Sequence, residues 1–274
     1  MARHSHLVDP ADAWGGGDDA SSYERGRPSY PAAAVEHLAS VLNIGPGRTV
    51  VDLGAGTGKF TRLLAATGAR VLAVEPQAAM RAELTAVAPA SVEVFDGGAE
   101  AIPLADASVD VVCAATAFHW FDHEVAMPEI ARVLRDGGGL GLIWNERDER
   151  VPWVRQMTEI IRWDGYRPYG VNFDWQPYIE LGGYFAYGGR LQVPYVQLLD
   201  RESFVDRVSS ISYIATMSPE ARAPVLARTS DLVAGFDEPF ELPYQCDVIW
   251  ARRGSRAPSA DPAAPAGAPK RLSS

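Results

Sequence analysis

The chain has 274 residues, 47% of them hydrophobic, and a formal net charge of −10 at pH 7. That length accommodates one large α/β domain with an elaboration, and the apolar fraction is ample for a sizeable core. The acidic balance argues against nucleic acid as a partner, which would call for clustered lysine and arginine.

In chain order, residues 1–20 are rich in Gly and Asp and read as a flexible arm. The opening residues are polar and lack the apolar stretch of a secretory signal. No apolar run approaches the length of a membrane span, so a cytoplasmic protein without a membrane partner is expected. From residue 49 onward, short runs rich in β-branched residues fall at 49–53, 70–75, 91–96, 109–115 and 139–145, as buried parallel strands do. Helical patterns lie between them at 59–67, 77–87 and 123–134, the last followed by the stop Arg135-Asp136-Gly137-Gly138. Strands alternating with helices predict a parallel sheet with helices on both faces.

After Glu146 the character changes. Residues 146–150 are a mixed charge run that reads as a solvated loop. Residues 151–190 are dense in Trp, Tyr and Phe and broken by Gly and Pro, and read as an aromatic lid over the ligand cleft. A strand at 192–199, helices near 202–209 and 219–234, and a strand at 240–252 follow, the last placed to pair antiparallel. Cys113 and Cys246 lie in β-like segments without metal-ligand spacing and read as core residues, and no metal is expected. Residues 254–274 are mostly Ala, Pro and Ser and read as a disordered tail, leaving a folded domain at 21–253.

The segment carrying most chemistry is Val51-Asp52-Leu53-Gly54-Ala55-Gly56-Thr57-Gly58-Lys59. Its glycines let a strand turn sharply into a helix and leave no Cβ between backbone and ligand. A nucleotide-like ligand then sits at the carboxyl ends of the strands. Glu75, closing the second strand, is placed to accept both hydrogen bonds of a ribose diol. A dinucleotide fingerprint would want a third glycine at 59, where Lys59 stands. Asp52, ahead of the glycines, suits a cationic amino group better than a pyrophosphate. The pattern therefore favours S-adenosyl-L-methionine over a nicotinamide dinucleotide.

Residues 23–145 resemble the class I methyltransferases, in the small-molecule branch that includes the trans-aconitate methyltransferases. The resemblance rests on the glycine turn, on Ala73-Val74-Glu75-Pro76, on Gly98-Ala99-Glu100-Ala101-Ile102-Pro103, and on Val109-Asp110-Val111-Val112 with Phe118-His119-Trp120-Phe121. Tyr23-Glu24-Arg25-Gly26-Arg27-Pro28-Ser29-Tyr30-Pro31 is similar to the leading segment of that branch. It implies a Rossmann-like sheet of seven mostly parallel strands with the last antiparallel. It also implies that Asp52, Gly54, Ala55 and Gly56 hold the methionine end of the cofactor, and Glu75 with Pro76 the ribose. Met80 would pack on adenine, Ala99 and Glu100 would line its edge, and Arg27 would reach the methionine carboxylate.

His119 follows the fourth strand, at the rim where acceptors sit in this fold, and is the candidate base or acceptor ligand; Tyr23 is a second catalytic candidate. His119 and His123 have a spacing that can bind zinc on one helix face, but the strand-to-helix junction between them argues against it. Trp120 and Phe121 read as pocket wall, and Trp163, Tyr169, Trp175 and Tyr178 as acceptor contacts in the lid. A wall of aromatics predicts an aromatic or indole-bearing small molecule of secondary metabolism, methylated on O, N or C. A carboxyl O-methyltransferase of the trans-aconitate type is the alternative, and a non-catalytic binding module an alternative of another class.

Overall fold

The computed structural model describes residues 26–161 and 173–254. The leading arm, the tail beyond Gly254, Tyr23, Trp163 and Tyr169 lie outside the described residues. The strands are β1 Thr49–Leu53, β2 Arg70–Val74, β3 Val92–Phe95, β4 Val109–Ala115, β5 Leu134–Arg147, β6 Phe185–Leu199 and β7 Phe240–Arg253. The helices that matter below are α1 Ala32–Leu42, α2 Lys59–Ala66, α3 Ala78–Val87, α4 His123–Val133, α5 Pro152–Ile161, α6 Gln176–Ile179 and α7 Arg201–Ser209, followed by α8 Ser212–Ala215 and α9 Pro219–Leu232.

The seven strands form one sheet in the order β3-β2-β1-β4-β5-β7-β6. The pairs from β3 through β5 are parallel, and β7 runs antiparallel to both β5 and β6. The order reverses between β1 and β4, which opens a crevice at their carboxyl ends. This is the expected Rossmann-like architecture, with β7 as the antiparallel last strand.

Each face of the sheet has its own core. On one face Val50, Phe60, Val111, Ile143 and Val248 pack under α1 and α2. Helix α1 lies very close to β5: a Cβ on Gly139 would come within 2.7 Å of Leu42, so only glycine allows this approach. On the other face Val51, Val112, Leu142 and Ile249 pack against Phe118, Met127 and Ile130. A third cluster joins α5, α7 and α9 to the ends of β6 and β7 through Met157, Phe204, Val208 and Tyr244.

Two expectations are corrected. The charge run 146–150 is not a loop throughout, because Glu146 and Arg147 extend β5 and pair with Gln245 and Tyr244 of β7. Asp148 is buried, bonded by Arg150 at 2.6 Å and by Gln245 at 3.1 Å, and Arg150 holds its carboxyl down to about 2. The described part of 151–190 is also not one uniform segment: it contributes α5, α6 and the start of β6. Trp153 sits on α5 among Phe204, Phe236 and Phe240, and Phe185 and Tyr187 belong to β6. Trp175 is 5% exposed and stacks on Trp144, with ring centroids 5.1 Å apart and planes 4° from parallel. Trp175 and Phe185 are buried in the core, while Trp153 and Tyr187 stay half-buried.

Candidate active site

The chain leaves β1 through the glycine turn. Gly54 and Gly56 have φ of +72° and +56°, a region costly for residues with a Cβ. A Cβ on Gly54 would meet the Ala117 Cβ at 2.7 Å, with Phe121 just beyond. One on Gly56 would meet nothing within 4 Å. Gly54 is therefore small because the protein packs against it, while Gly56 faces open space from which a ligand can approach the backbone.

Two acids flank the turn. Glu75 accepts from the Gly56 N–H at 2.9 Å through Oε2 and from the Gln77 N–H at 2.9 Å through Oε1. Both oxygens are thereby fixed, each with lone-pair capacity left for a diol. Burial pushes the Glu75 carboxyl up, against the bonds from Gln77 and Gly56 and the charge of Arg81. Asp52 is fully buried; its Oδ2 accepts from Thr61 Oγ1 at 2.6 Å, and its Oδ1 has no partner among the described residues. Burial raises its pKa from 3.8 to about 7, opposed by the Thr61 bond and helped by the charge of Glu75. A buried acceptor without a donor is costly and marks a place where a ligand completes the bonding. S-adenosylmethionine fits: Asp52 Oδ1 suits its ammonium or a water bound to it, Gly56 leaves room at the backbone, and Glu75 is set for the ribose.

Beside the turn opens a cleft. The structure brings Arg27, Gly54, Ala55 and Gly56 together in its lining, as the sequence predicts. It adds residues that sequence reasoning did not assign to the site: Tyr30, Lys59, Thr116, Asn145 and Arg207. Arg27 Nη2 donates to the Ser210 carbonyl at 3.0 Å, anchoring the leading segment at the end of α7. Tyr30 Oη and Thr116 Oγ1 share a hydrogen bond of 2.9 Å. Thr116 has φ +54°, a strained conformation for a β-branched residue, held by its N–H bond to the Ile143 carbonyl at 2.8 Å. Thr116 follows the predicted strand 109–115 and Asn145 ends the predicted strand 139–145, where this fold presents side chains to ligands, so their position is a usable signal. Arg207, in the middle of a helical stretch, carries no such signal.

The remaining predicted residues divide. Met80 and Ala99 are each 3% exposed, consistent with a buried adenine wall. Pro76 is exposed, and its carbonyl accepts from Arg81 Nη1 at 2.6 Å. Glu100 does not simply line an edge: its Oε1 accepts from the Asp122 N–H at 2.8 Å, the residue before α4, and so fixes that helix start. Phe121 is 8% exposed and packs edge-on against Phe118 beneath Gly54, as core rather than acceptor wall. Trp175, stacked on Trp144, lies on the face opposite the cleft, because Trp144 and Asn145 are successive residues of β5 and point to opposite sides. Tyr178 packs near His123, ring centroids 5.0 Å apart, on that same far side.

His119 and Trp120 lie in a 3₁₀ turn after β4, both half-buried, with ring centroids 5.1 Å apart. Burial, with the charges of Arg27 and His123, pushes the His119 pKa down from 6.5 to about 3. His123 bonds the Phe118 carbonyl through Nε2 at 3.0 Å. Among the described residues no group of three or more His, Cys, Asp or Glu could hold a metal ion.

Residues 51–142 match the profile of a methyltransferase domain. The chain is 44% identical over 218 residues to an uncharacterised methyltransferase of Mycobacterium tuberculosis, covering 80% of this chain and 85% of that protein. The chain belongs to the class I S-adenosylmethionine-dependent methyltransferases. A methyltransferase-like protein of Schizosaccharomyces pombe is 35% identical over 219 residues, 78% of this chain and 84% of its own length. The solved structure of a type II methyltransferase from Anaeromyxobacter dehalogenans superposes with a TM-score of 0.60 at 26% identity, covering 83% of this chain and 97% of that one. In this methyltransferase the glycine turn, flanked by Asp52 and Glu75, borders the cleft that runs toward β5.

Proposed function

We propose that this methyltransferase acts on a small molecule that enters the cleft beside the glycine turn, and that the reacting atom brings its own free lone pair. S-adenosylmethionine supplies, when bound, a methyl group already activated on a sulfonium, so the protein's task is alignment and exclusion of water. His119 carries the reading. With a pKa of about 3 it is neutral throughout the physiological range, a hydrogen-bonding group in the turn after β4 rather than a base strong enough for a phenol or an alcohol. A carboxylate or a neutral amine needs no such base. Asn145, Thr116 and Tyr30 would orient the acceptor, with Tyr23 as a further candidate from the leading segment.

A second reading, the aromatic or indole-bearing acceptor of secondary metabolism, keeps Trp120 as support, since it stands half-buried beside His119. Trp163 and Tyr169 would add to that surface. The lobe residue Trp175 does not support it, because it faces the core. A cytoplasmic setting and an acceptor other than nucleic acid belong to the same proposal, supported by two buried free cysteines and the net charge of −10.

The test is incubation with methyl-labelled S-adenosylmethionine and a panel of small carboxylic acids, amines, phenols and indoles. Label is expected in acids or amines and absent from phenols. Efficient methylation of phenols, with a rate limb near pH 6–7, would overturn the part assigned to His119.

A further inference from the structure

Helix α7 carries a cation into the cleft that the donor site does not need. Arg207 is 3% exposed and lines the cleft. Its Nε donates to Tyr244 Oη at 3.0 Å, Tyr244 Oη donates to Gln197 Oε1 at 3.2 Å, and Gln197 Nε2 donates to the Gly26 carbonyl at 3.3 Å. The guanidinium is thus held by Tyr244 of β7, which Gln197 of β6 links to the leading segment, and the Tyr244 ring centroid lies 6.0 Å from its central carbon. Yet Arg207 Nη1 is buried without a hydrogen-bond partner, and Arg207 forms no ion pair among the described residues. Asn145 Oδ1 is likewise buried and unpartnered, while Asn145 Nδ2 holds the Ser29 carbonyl at 2.8 Å.

A guanidinium taken out of water without a counter-charge is costly, and its planar fork matches a carboxylate. The charged side chains along the cleft are Arg27, Lys59 and Arg207, with no acid among them. The donor brings one carboxylate, for which Arg27 is the expected partner; of the other two cations Lys59 is half-buried and Arg207 is the buried one. We infer that Arg207 is the anchor for a carboxylate of the acceptor, which makes the substrate a small organic acid. Asn145 Oδ1 accepts a hydrogen bond from an N–H or O–H group of the same molecule. The inference rests on the reading that the cleft is the site of methyl transfer.

The experiment is calorimetry on the full chain saturated with S-adenosylhomocysteine. The probes are indole-3-acetate, cinnamate, succinate and trans-aconitate, each paired with its amide. At least one acid is expected to bind ten times more tightly than its amide. Arg207→Gln should erase that gap and leave S-adenosylhomocysteine affinity within twofold, and Arg207→Lys should restore part of the gap. Equal affinity for every acid and its amide, or no binding of any acid, overturns the inference. So does a tenfold loss of S-adenosylhomocysteine affinity in Arg207→Gln, which would assign Arg207 to the donor. If Arg207→Gln does not fold, Tyr244→Phe, which removes the bond to Arg207 Nε, takes its place and should narrow the gap severalfold. An unchanged gap in Tyr244→Phe then counts against Arg207. Failure of the proposed function has a separate signature: no methylated small molecule from a metabolite extract, whatever binds. Equal yields of methylated acids and amides would instead overturn Arg207 alone.

Discussion

The two halves of the sheet solve the same problem, fixing a polar group at a strand end, by opposite means. Around β1 and β2 the partners are close in sequence: Thr61 bonds Asp52 nine residues away, and Glu75 bonds Gly56 over nineteen. Around β5, β7 and β6 the partners are remote, with Asn145 bonding Ser29 across 116 residues and Gln197 bonding Gly26 across 171. Local bonds fix the donor site by the spacing of a motif. The β5 side is assembled from chain-distant pieces, residues 26–29 and α7 meeting β5 and β6.

The sharpest way to break this comparison is at the turn itself. Gly54→Val puts a β-branched residue at φ +72° with its Cβ 2.7 Å from Ala117. Strain and overpacking together should cost about 3 kcal/mol or more of stability and abolish measurable binding of S-adenosylhomocysteine. Thermal denaturation and calorimetry read both. Retained binding would mean that the donor site is not built on this turn.

Trp175→Ala is the next largest. Loss of a buried indole from the stack on Trp144 should cost about 3–5 kcal/mol, while KM for an accepted substrate moves less than twofold at a temperature where the variant is folded. Unchanged stability with a tenfold rise in KM would return Trp175 to the acceptor wall.

The same contrast explains what could be read from the residues alone. The order of strands and helices, the antiparallel β7 and the placing of Asp52, Gly54, Gly56 and Glu75 about one turn follow from local periodicity and spacing. Composition reports that the described rings of 151–161 and 173–190 need cover, not against what. Trp175 finds Trp144, and Trp153 finds Phe236 and Phe240, through pairings that no local pattern encodes. Arg207 escaped for a related reason: a helical arginine is ordinarily solvated, and only the packing of α7 on Tyr244 removes it from water.

Asp52 sharpens the comparison through pH. Its carboxyl holds a proton up to about pH 7 in the fold but only to 3.8 when exposed. Between those values the folded state binds more protons than the unfolded one, so stability without cofactor falls as pH rises from about 4 through 7. A cationic ammonium favours the ionised form, so affinity for S-adenosylhomocysteine should rise between pH 5.5 and 7.5. Asp52→Asn should flatten that rise, lower affinity about tenfold and raise the melting temperature at pH 8. A flat profile in the unmodified protein would uncouple Asp52 from the ligand.

His119 carries the smallest expected effect and the most direct bearing on the acceptor side. Its pKa is depressed from 6.5 to about 3, so the neutral ring is the form the fold favours. The sign is opposite in consequence to that of Asp52: the stability His119 contributes is present above about pH 6.5 and lost as pH falls toward 3. His119→Gln keeps a neutral hydrogen-bonding side chain, so it should soften acid denaturation and lower kcat by less than tenfold. The rate profile of the unmodified protein should show no limb near pH 6.5 that the variant removes. A general base typically contributes about 10²–10⁴-fold, so a hundredfold fall in kcat with loss of such a limb would make His119 the proton acceptor. The acceptor would then be a group that must lose a proton, and the acceptor side of the sheet would perform acid–base chemistry as well as recognition.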